Sequence, residues 1–257
     1  KISFLELKGV FAAFECMASV TCVSFFQSSG LRSRWKSFLM MQRGHGMLKN
    51  QAGLQFYKLM GSGRGNGFSP YADWGTYCLL TVWDNIEQAR NFTRNSKLHK
   101  TYSGFCDDIL TLYLGCIRAH GTWSDQEPFQ AYDWPENEVA GPFCVLTRAT
   151  IKTKFLMRFW RYVPTSSEPM DHAAGLYFKK GIGEVPVIQM ATFSIWRDQE
   201  SMRAYAYNSP EHLKAVRMTR ELGWYSEELF ARFRLLDCEG NWQGKPLKDL
   251  MSTAVAQ

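Results

Sequence analysis

Apolar residues fall into short blocks that alternate with amphipathic segments, and the order of these segments occurs twice along the chain. The first block, Ser19 to Phe26, is rich in β-branched and aromatic residues, which favours a strand. After it, Leu31, Trp35 and Phe38 lie on one face of a predicted helix that ends at Met41. The rest of this half predicts two strands, a helix opened by a cap at Asp84, and a final strand, at residues 53–59, 77–83, 85–99 and 109–117. The predicted order is β-α-β-β-α-β.

The second half repeats this order after a linker. Residues Thr122 to Ala140 show no periodicity and contain Pro128 and Pro135, which is typical of a connection between units. The pattern beyond it predicts strands and helices in the same sequence: strands at 143–151, 175–180, 187–196 and 229–236, and helices at 154–162 and 200–222. The chain therefore divides into a first repeat at 1–123, a linker at 124–140, a second repeat at 141–242 and a tail at 243–257.

One segment of each half matches its counterpart without a gap. Counted from Trp83 or Trp196, arginine stands at plus seven, Asn-Ser at plus twelve and thirteen, and histidine at plus sixteen. These positions are Arg90, Asn95, Ser96 and His99 in the first copy and Arg203, Asn208, Ser209 and His212 in the second. A duplication is the simplest account of such agreement.

Each half has the element order of a ferredoxin-like unit. One such sheet is covered by helices on one face only, so its other apolar face must find a partner. Two copies in one chain can supply that partner to each other. The predicted fold class is α+β, with two tandem ferredoxin-like repeats forming an intramolecular dimeric α+β barrel.

Composition adds limits on class and compartment. With 257 residues, of which 46% are hydrophobic and 15% aromatic, the chain can bury a real core. Seven cysteines form no Cys-x-x-Cys pair, which argues against a zinc site and a disulfide framework and favours the cytoplasm. Residues Val10 to Phe26 are interrupted by Glu15 and are short for a membrane span.

The net charge is +6, with a denser basic patch at Arg32, Arg34, Lys36 and Arg43. A solvated face is the simpler interpretation of this patch, and contact with an anionic cofactor or a membrane surface is the sharper one. The pattern does not indicate a nucleic-acid partner.

Few motifs in the chain carry chemistry by themselves. The glycines of residues 61–67 lack the Gly-Lys-Ser/Thr ending of a phosphate loop, so a hairpin loop is predicted there. His99 and His212 occupy matched positions on the second helix of each half. Each is either a packed or capping histidine or a metal ligand, and the repeat alone does not decide, because structural residues are duplicated too.

Several segments together resemble the spheroidene monooxygenase family, which introduces oxygen into carotenoids. The resemblance spans about residues 20 to 240, and it is strongest at residues 56–63, 67–70, 145–151, 159–160 and 223–233. Wider relatives of this family are the dimeric α+β barrel proteins, which include haem enzymes such as dye-decolourising peroxidases, chlorite dismutases and aldoxime dehydratases.

The resemblance implies haem b, with His212 as the proximal ligand of the iron and His99 as the weaker alternative. Arg148 and Lys58 are the candidate catalytic residues, because a fixed cation can stabilise negative charge on oxygen bound to iron or hold a propionate. Arg64 is a further candidate propionate partner. Trp224 is a candidate for the wall of the cofactor site, with core packing as its alternative.

The implied reaction consumes dioxygen and an apolar, carotenoid-like substrate, and it takes electrons from a separate ferredoxin or reductase. Such a substrate would come from a membrane, so a cytoplasmic protein with peripheral membrane contact at the basic patch is expected, and a homo-oligomer is left open. Two alternatives remain at this point. One is the same haem barrel acting on a small nitrogen-containing metabolite, as aldoxime dehydratase does, and the other is a barrel that binds haem or a hydrophobic ligand without catalysis.

Overall fold

A computed structural model describes residues 19–65, 69–134, 141–161, 170, 173–208 and 210–253. They form one closed antiparallel barrel with helices packed on its outside. The elements in chain order are β1 Val20–Gln27, α1 Leu31–Leu48, β2 Leu54–Gly63, β3 Ala72–Trp83, α2 Ile86–Asn95, α3 Lys97–Ser103, β4 Asp108–Gly121, β5 Phe143–Ile151, a 3-10 turn at Thr153–Phe155, β6 Leu176–Val185, β7 Gln189–Trp196, α4 Gln199–Asn208, α5 Pro210–Leu222, β8 Tyr225–Trp242, β9 Lys245–Pro246 and α6 Leu247–Thr253.

The strands of the two halves form one continuous sheet. Its order is β4-β1-β3-β2-β6-β7-β5-β8, and the additional pairing of β4 with β8 closes the barrel. The two junctions between halves differ in length, because β2 meets β6 only at Gly61 and Ser62, whereas β4 and β8 pair from Leu110 to Gly121. The predicted barrel of two ferredoxin-like repeats is confirmed.

Alternate residues of each strand point into the barrel, as the two-residue period of a strand requires. Fully burying one valine, leucine, isoleucine, phenylalanine or methionine side chain stabilises a fold by about 1.5–3 kcal/mol. The interior is filled with such side chains from both halves, among them Val23, Phe25, Phe56, Met60, Leu80, Leu112, Leu146, Phe178, Ile182, Phe193, Ala231 and Phe233.

Helix α1 continues to Leu48, so the predicted end at Met41 is wrong. Gly44 lies on the helix face that packs against β2, and a Cβ atom there would stand 2.8 Å from Cδ1 of Leu59. This glycine allows the helix to approach the sheet closely rather than ending it.

The sequence predicts one long second helix in each half, but the structure has two consecutive helices there. In the first half Ser96 ends α2 and caps α3, since its side chain accepts a hydrogen bond from the backbone N–H of His99. In the second half α4 ends at Asn208 and α5 begins at Pro210, the position where proline is tolerated in a helix. The predicted cap at Asp84 is also wrong, because the side chain of Asn85 accepts from the N–H of Gln88.

Several strands are longer than their patterns predict. Strand β2 runs to Gly63, so the first two glycines of the predicted hairpin loop belong to a strand. The predicted linker also contributes to the core, because Trp123 and Phe129 are buried in the barrel interior. Aromatic side chains in a segment without periodicity gave no signal of where they would pack.

Candidate functional site

The two halves can be compared position by position. Val20 pairs with Trp83 in the first half as Phe143 pairs with Trp196 in the second. Each tryptophan also donates its indole N–H to a hydroxyl two residues earlier in its strand, at 2.8 Å in the first half and 3.0 Å in the second. The central strands β1 and β5 are therefore in matching register.

The outer face of the second half is open at its centre. Thr147 lies in the middle of β5, between Thr192 of β7 and Phe230 of β8, yet its side chain is exposed. The hydroxyl oxygen of Thr192 is buried without a hydrogen-bond partner. We call the surface formed by Thr147, Thr192, Phe230 and Arg232 the outer gap.

Two separate apolar clusters flank the outer gap. One contains Ile151, Phe159, Met190 and Trp224. The other contains Phe143, Val145, Trp196 and Met202. The outer face of the first half has one continuous cluster instead. The second half therefore differs in having two apolar walls around a polar centre, an arrangement that ligand sites often have.

Three arginines meet at the edge of the outer gap. Arg232 of β8 pairs across the sheet with Arg118 of β4, and its guanidinium lies 5.2 Å from the ring of Phe230. Burial, the charge of Arg203 and the charge of Arg118 lower the pKa of Arg232. Its Nε atom is buried without a hydrogen-bond partner.

In the described part of the chain none of these three arginines is paired with a carboxylate. The positive charges of Arg203 and Arg118 repel that of Arg232. The buried Nε of Arg232, which has no hydrogen-bond partner, also costs free energy. An anionic group bound at the edge of the gap would relieve both costs. The arrangement therefore suits a ligand that combines an apolar body with carboxylates.

Helices α4 and α5 cover the two flanks of the outer gap. Tyr205 and Ala206 of α4 pack on one apolar cluster, and Met218 and Leu222 of α5 pack on the other. The first turn of α5, which contains His212, lies between these two segments in the chain. The side chain of His212 is outside the described residues.

His99, the counterpart of His212, lies in a packed core. Only 5% of it is exposed, and its ring lies 5.4 Å from that of Phe26 and 5.5 Å from that of Phe92. Burial lowers its pKa to about 4, so the imidazole is neutral at physiological pH. Its Nε2 atom is buried without a partner, which is compatible with a ligand, but aromatic rings occupy its surroundings.

The two candidate catalytic residues lie together, inside the barrel. Arg148 is 1% exposed and donates to Glu227, while its other terminal nitrogen lies 3.9 Å from Glu184. Lys58 contacts Glu184 at 2.7 Å, and the indole N–H of Trp123 donates to the same carboxylate. We call these five residues the inner charge cluster.

The inner charge cluster is balanced and joins the two halves. Its two cations face two carboxylates, and Lys58 belongs to the first half whereas Arg148, Glu184 and Glu227 belong to the second. Burial alone would raise the pKa of Glu227, but the backbone N–H of Asp125 and the guanidinium of Arg148 outweigh it, so that the pKa is lowered. These cations already have partners, and a catalytic role for them stays a prediction.

The remaining predicted residues lie apart. Arg148 points to the inner face of β5, whereas its neighbour Thr147 points to the outer gap. Trp224 belongs to an apolar cluster beside the gap, and its indole N–H donates to Thr219 at 2.9 Å. Arg64 is exposed at the end of β2, where its backbone N–H donates to the carbonyl of Tyr71.

The pattern of the sequence alone missed the arginines of the gap. One signal was available, because Arg232 alternates with the apolar residues Ala231 and Phe233 and must lie on the opposite face of β8. Arg203 stands at the repeated plus-seven position. No signal placed Arg118 beside them, since that depends on the pairing of β4 with β8.

Comparisons with known proteins were made by sequence and by structure. No family model matches the chain. It is 38% identical over 226 residues to spheroidene monooxygenase of Rhodobacter capsulatus, and the aligned residues cover 88% of this chain and 94% of that protein. It is 31% identical over 195 residues to spheroidene monooxygenase of Rubrivivax gelatinosus, which covers 76% of this chain and 74% of that protein.

Among solved structures, a crystal structure of aldoxime dehydratase has a TM-score of 0.61 at 12% identity, covering 91% of this chain and 87% of that chain. An aldoxime dehydratase in complex with butyraldoxime also has a TM-score of 0.61, at 10% identity, covering 91% of this chain and 85% of that chain. At such identity the likeness shows a shared fold.

Proposed function

Because this chain belongs to the spheroidene monooxygenase family, we propose that it is a haem-dependent monooxygenase that inserts oxygen into an apolar, carotenoid-like substrate. A monooxygenase places one atom of dioxygen in its substrate and releases the other as water, which requires two electrons and two protons. In this proposal a separate ferredoxin or reductase supplies the electrons. The relatives' names support the substrate class, and the outer gap supports the cofactor.

The observation that carries the cofactor proposal is the unpaired group of Arg118, Arg203 and Arg232 beside apolar walls. Haem b is a flat apolar macrocycle with two propionates, so it matches both properties of the site. Arg232 would hold a propionate through its buried Nε, and Arg203 and Arg118 would add charge at the same edge. The residues present therefore fit the group.

His212 would hold the iron. Its place in the first turn of α5 puts its backbone between the two helical segments that flank the outer gap. When bound, haem supplies the activation of dioxygen, which no side chain of the chain can provide.

The chain's own residues would then exclude water and orient the substrate. The apolar clusters around Trp224 and Trp196 form dry walls on both sides of the gap. The hydroxyls of Thr147 and Thr192 are the hydrogen-bonding groups at its centre, and that of Thr192 has no partner among the described residues. A long polyene fits such walls by its apolar surface and needs few polar contacts.

The test of the cofactor is the absorption spectrum of the purified protein, with haem quantified as its pyridine complex. Wild type should bind one haem per chain, His212→Ala should lose it, and Arg232→Ala should bind haemin more weakly by about tenfold, as expected for one charge-assisted contact. His99→Gln, in the matched position of the first half, should keep its haem. Full haem binding by His212→Ala would reject the proposed ligand.

The test of the reaction is separate. The loaded enzyme, given a reducing system and a carotenoid, should consume one dioxygen per oxygenated product and should be inactive without oxygen. Turnover of the substrate under anaerobic conditions would overturn the monooxygenase proposal while leaving the haem site intact.

A further inference from the structure

Four large apolar side chains are gathered on one exposed surface of the first half. Leu31, Trp35, Phe38 and Trp74 are 84%, 61%, 41% and 52% exposed. The ring of Phe38 lies 5.7 Å from that of Trp35 and 5.3 Å from that of Trp74, so two separate elements, α1 and β3, contribute to the surface. We call these four residues the aromatic patch.

The aromatic patch is a contiguous feature rather than a scatter of single residues. Leu31, Trp35 and Phe38 are spaced as neighbours on one helix face. They account, with Trp74, for four of the nine large apolar side chains that are exposed in the described residues. Contiguous exposed apolar surface of this kind marks an interaction site.

The charge around the patch indicates the partner. Helix α1 contains Arg32, Arg34, Lys36 and Arg43 and no aspartate or glutamate. Arg32, Lys36 and Arg43 are exposed, and none of them is paired with a carboxylate among the residues that the structure describes. A partner must therefore offer an apolar layer and negative charge together.

We infer that the aromatic patch and the surrounding cations of α1 dock on the surface of an anionic lipid bilayer. Tryptophan favours the boundary between headgroups and acyl chains because its ring is apolar and its N–H is polar. A basic helix with an aromatic face binds such a boundary in its plane. No helix among the described residues is long and apolar enough to cross a bilayer. The inferred contact is that of α1 and β3 with the surface of the bilayer.

This surface is distinct from the outer gap, which lies on the second half. The inference goes beyond the proposed reaction, although an enzyme that oxidises a polyene would collect its substrate at such a boundary. Its test requires neither haem nor turnover, so lipid binding and the proposed function can fail independently.

The experiment is co-sedimentation of the full chain with vesicles of phosphatidylcholine alone and of phosphatidylcholine with phosphatidylglycerol. Wild type should bind the anionic vesicles, more weakly as salt is raised, and the neutral vesicles at least tenfold more weakly, since each cation near an anionic surface contributes about 1 kcal/mol. Trp35→Ala with Trp74→Ala should lower binding to anionic vesicles about tenfold or more. Arg32→Glu with Arg43→Glu should have a similar effect and should abolish the salt dependence.

Met157→Ala is the matched control, because Met157 is 80% exposed but lies on the second half, and it should bind as wild type does. Circular dichroism checks that each variant is folded. Equal binding of wild type and the Trp35, Trp74 double variant would overturn the inference. A second outcome would also overturn it: wild type binds no vesicles and self-associates in light scattering, whereas the double variant stays monomeric. The patch would then be an interface between two copies of the chain.

Discussion

The outer faces of the two halves have the same strand arrangement, but they differ in whether the charges of the matched residues are balanced. On the outer face of the first half Arg90 donates to Asp237 of β8 at 2.9 Å, and its guanidinium lies 5.7 Å from the ring of Tyr113. Tyr113 and Asp237 are cross-strand partners in β4 and β8. The charge of Arg90 is balanced by Asp237, and the apolar side chains around this pair form one continuous cluster.

The same positions of the second half hold three cations. Arg203 takes the repeat position of Arg90, and the cross-strand pair of β4 and β8 is Arg118 with Arg232. At the centre of the face, the first half buries Ser24 and bonds its hydroxyl to Thr111 at 3.0 Å, whereas Thr147 in the matched register is exposed.

The difference shows how two copies of one fold can carry different charges on the same face. One half keeps a sealed face and supports the barrel. The other half has arginines in place of an acid and a tyrosine, and the centre of its sheet is not closed by a buried hydroxyl pair. A ligand that supplied the missing negative charge would offset the resulting cost in stability.

The largest effect is expected inside the barrel, where Phe25 of β1 and Arg148 of β5 occupy matched positions. Phe25 packs on Trp242, whereas Arg148 lies over Trp123 and pairs with Glu227 and Glu184. Arg148→Ala should lower the free energy of unfolding by about 3–5 kcal/mol, because it leaves the partly buried carboxylate of Glu227 without a cation, while Glu184 keeps Lys58. Chemical denaturation measures the loss.

The matched change, Phe25→Leu, keeps an apolar core and should cost about 1.5 kcal/mol or less. Equal losses from the two variants would show that the inner charge cluster does not stabilise the barrel. The double variant Arg148→Met, Glu227→Gln should recover part of the loss, since it removes both charges of the pair.

The next effect is on pH dependence. Burial lowers the pKa of His99 from 6.5 to about 4. Between these two pH values the imidazole is protonated in the unfolded chain and neutral in the folded chain. Stability should therefore fall as the pH is lowered from about 6.5 to 4, by about 3 kcal/mol in all, because each pH unit in this window contributes about 1.4 kcal/mol. Thermal melts between pH 6.5 and about 5.5 measure the slope above the range where most carboxylates titrate.

His99→Leu should flatten that slope, and His212→Leu should retain it. A slope that is unchanged in His99→Leu would assign the acid sensitivity to other groups. This pair of variants separates a histidine that serves the core from one proposed to serve a ligand.

A smaller effect is expected when the acid on the outer face of the first half is copied onto the outer face of the second half. Arg118→Asp would give Arg232 and Arg203 a carboxylate partner, as Asp237 does for Arg90. Affinity for haemin should fall about thirtyfold, because the site loses one cation and gains a competing anion. The melting temperature of the haem-free protein should rise, since repulsion among the arginines is relieved.

Haemin titration and thermal melting of the same sample test both results. Lys154→Asp, an equal charge change outside the gap, controls for net charge. Unchanged haemin affinity in Arg118→Asp would show that the arginines do not recognise an anion.

The smallest effect belongs to the sealed face. Asp237→Asn removes the partner of Arg90, whose pair is partly exposed at 25% and 35%, so the expected cost is only about 0.5–1 kcal/mol. Haem content should not change. A loss of haem in this variant would mean that the two faces are coupled through β4 and β8.

How far the sequence predicts the molecule differs between fold and site. The barrel follows from the repeat around Trp83 and Trp196 and from the element order, because both are local patterns. The end of α1 was misplaced because Gly44 signals a helix end in sequence but close packing in space. Trp123 stands at the boundary between the first repeat and the linker, and its hydrogen bond to Glu184, far along the chain, leaves no local signal.

The candidate site is harder to predict from the sequence than the fold, and the reason is physical. Arg118 meets Arg232 only through the register of β4 and β8, and that register shifts twice, after Tyr113 and after Cys116. Such irregularities are set by tertiary packing and leave no periodic trace. The resemblance predicts Arg148 and Lys58 as cations of the site, but it gives no sign of their glutamate partners, which come from other strands.

The seam between β4 and β8 also bears on how the chain reaches its native state. It joins residues more than a hundred positions apart, such as Leu110 and Gly240, so the loop it closes is long and such pairings form slowly. Strand β8 is synthesised after the other seven strands of the barrel. Until β8 emerges from the ribosome, the edge of β4 lacks this partner, and an unpaired strand edge favours aggregation of the nascent chain.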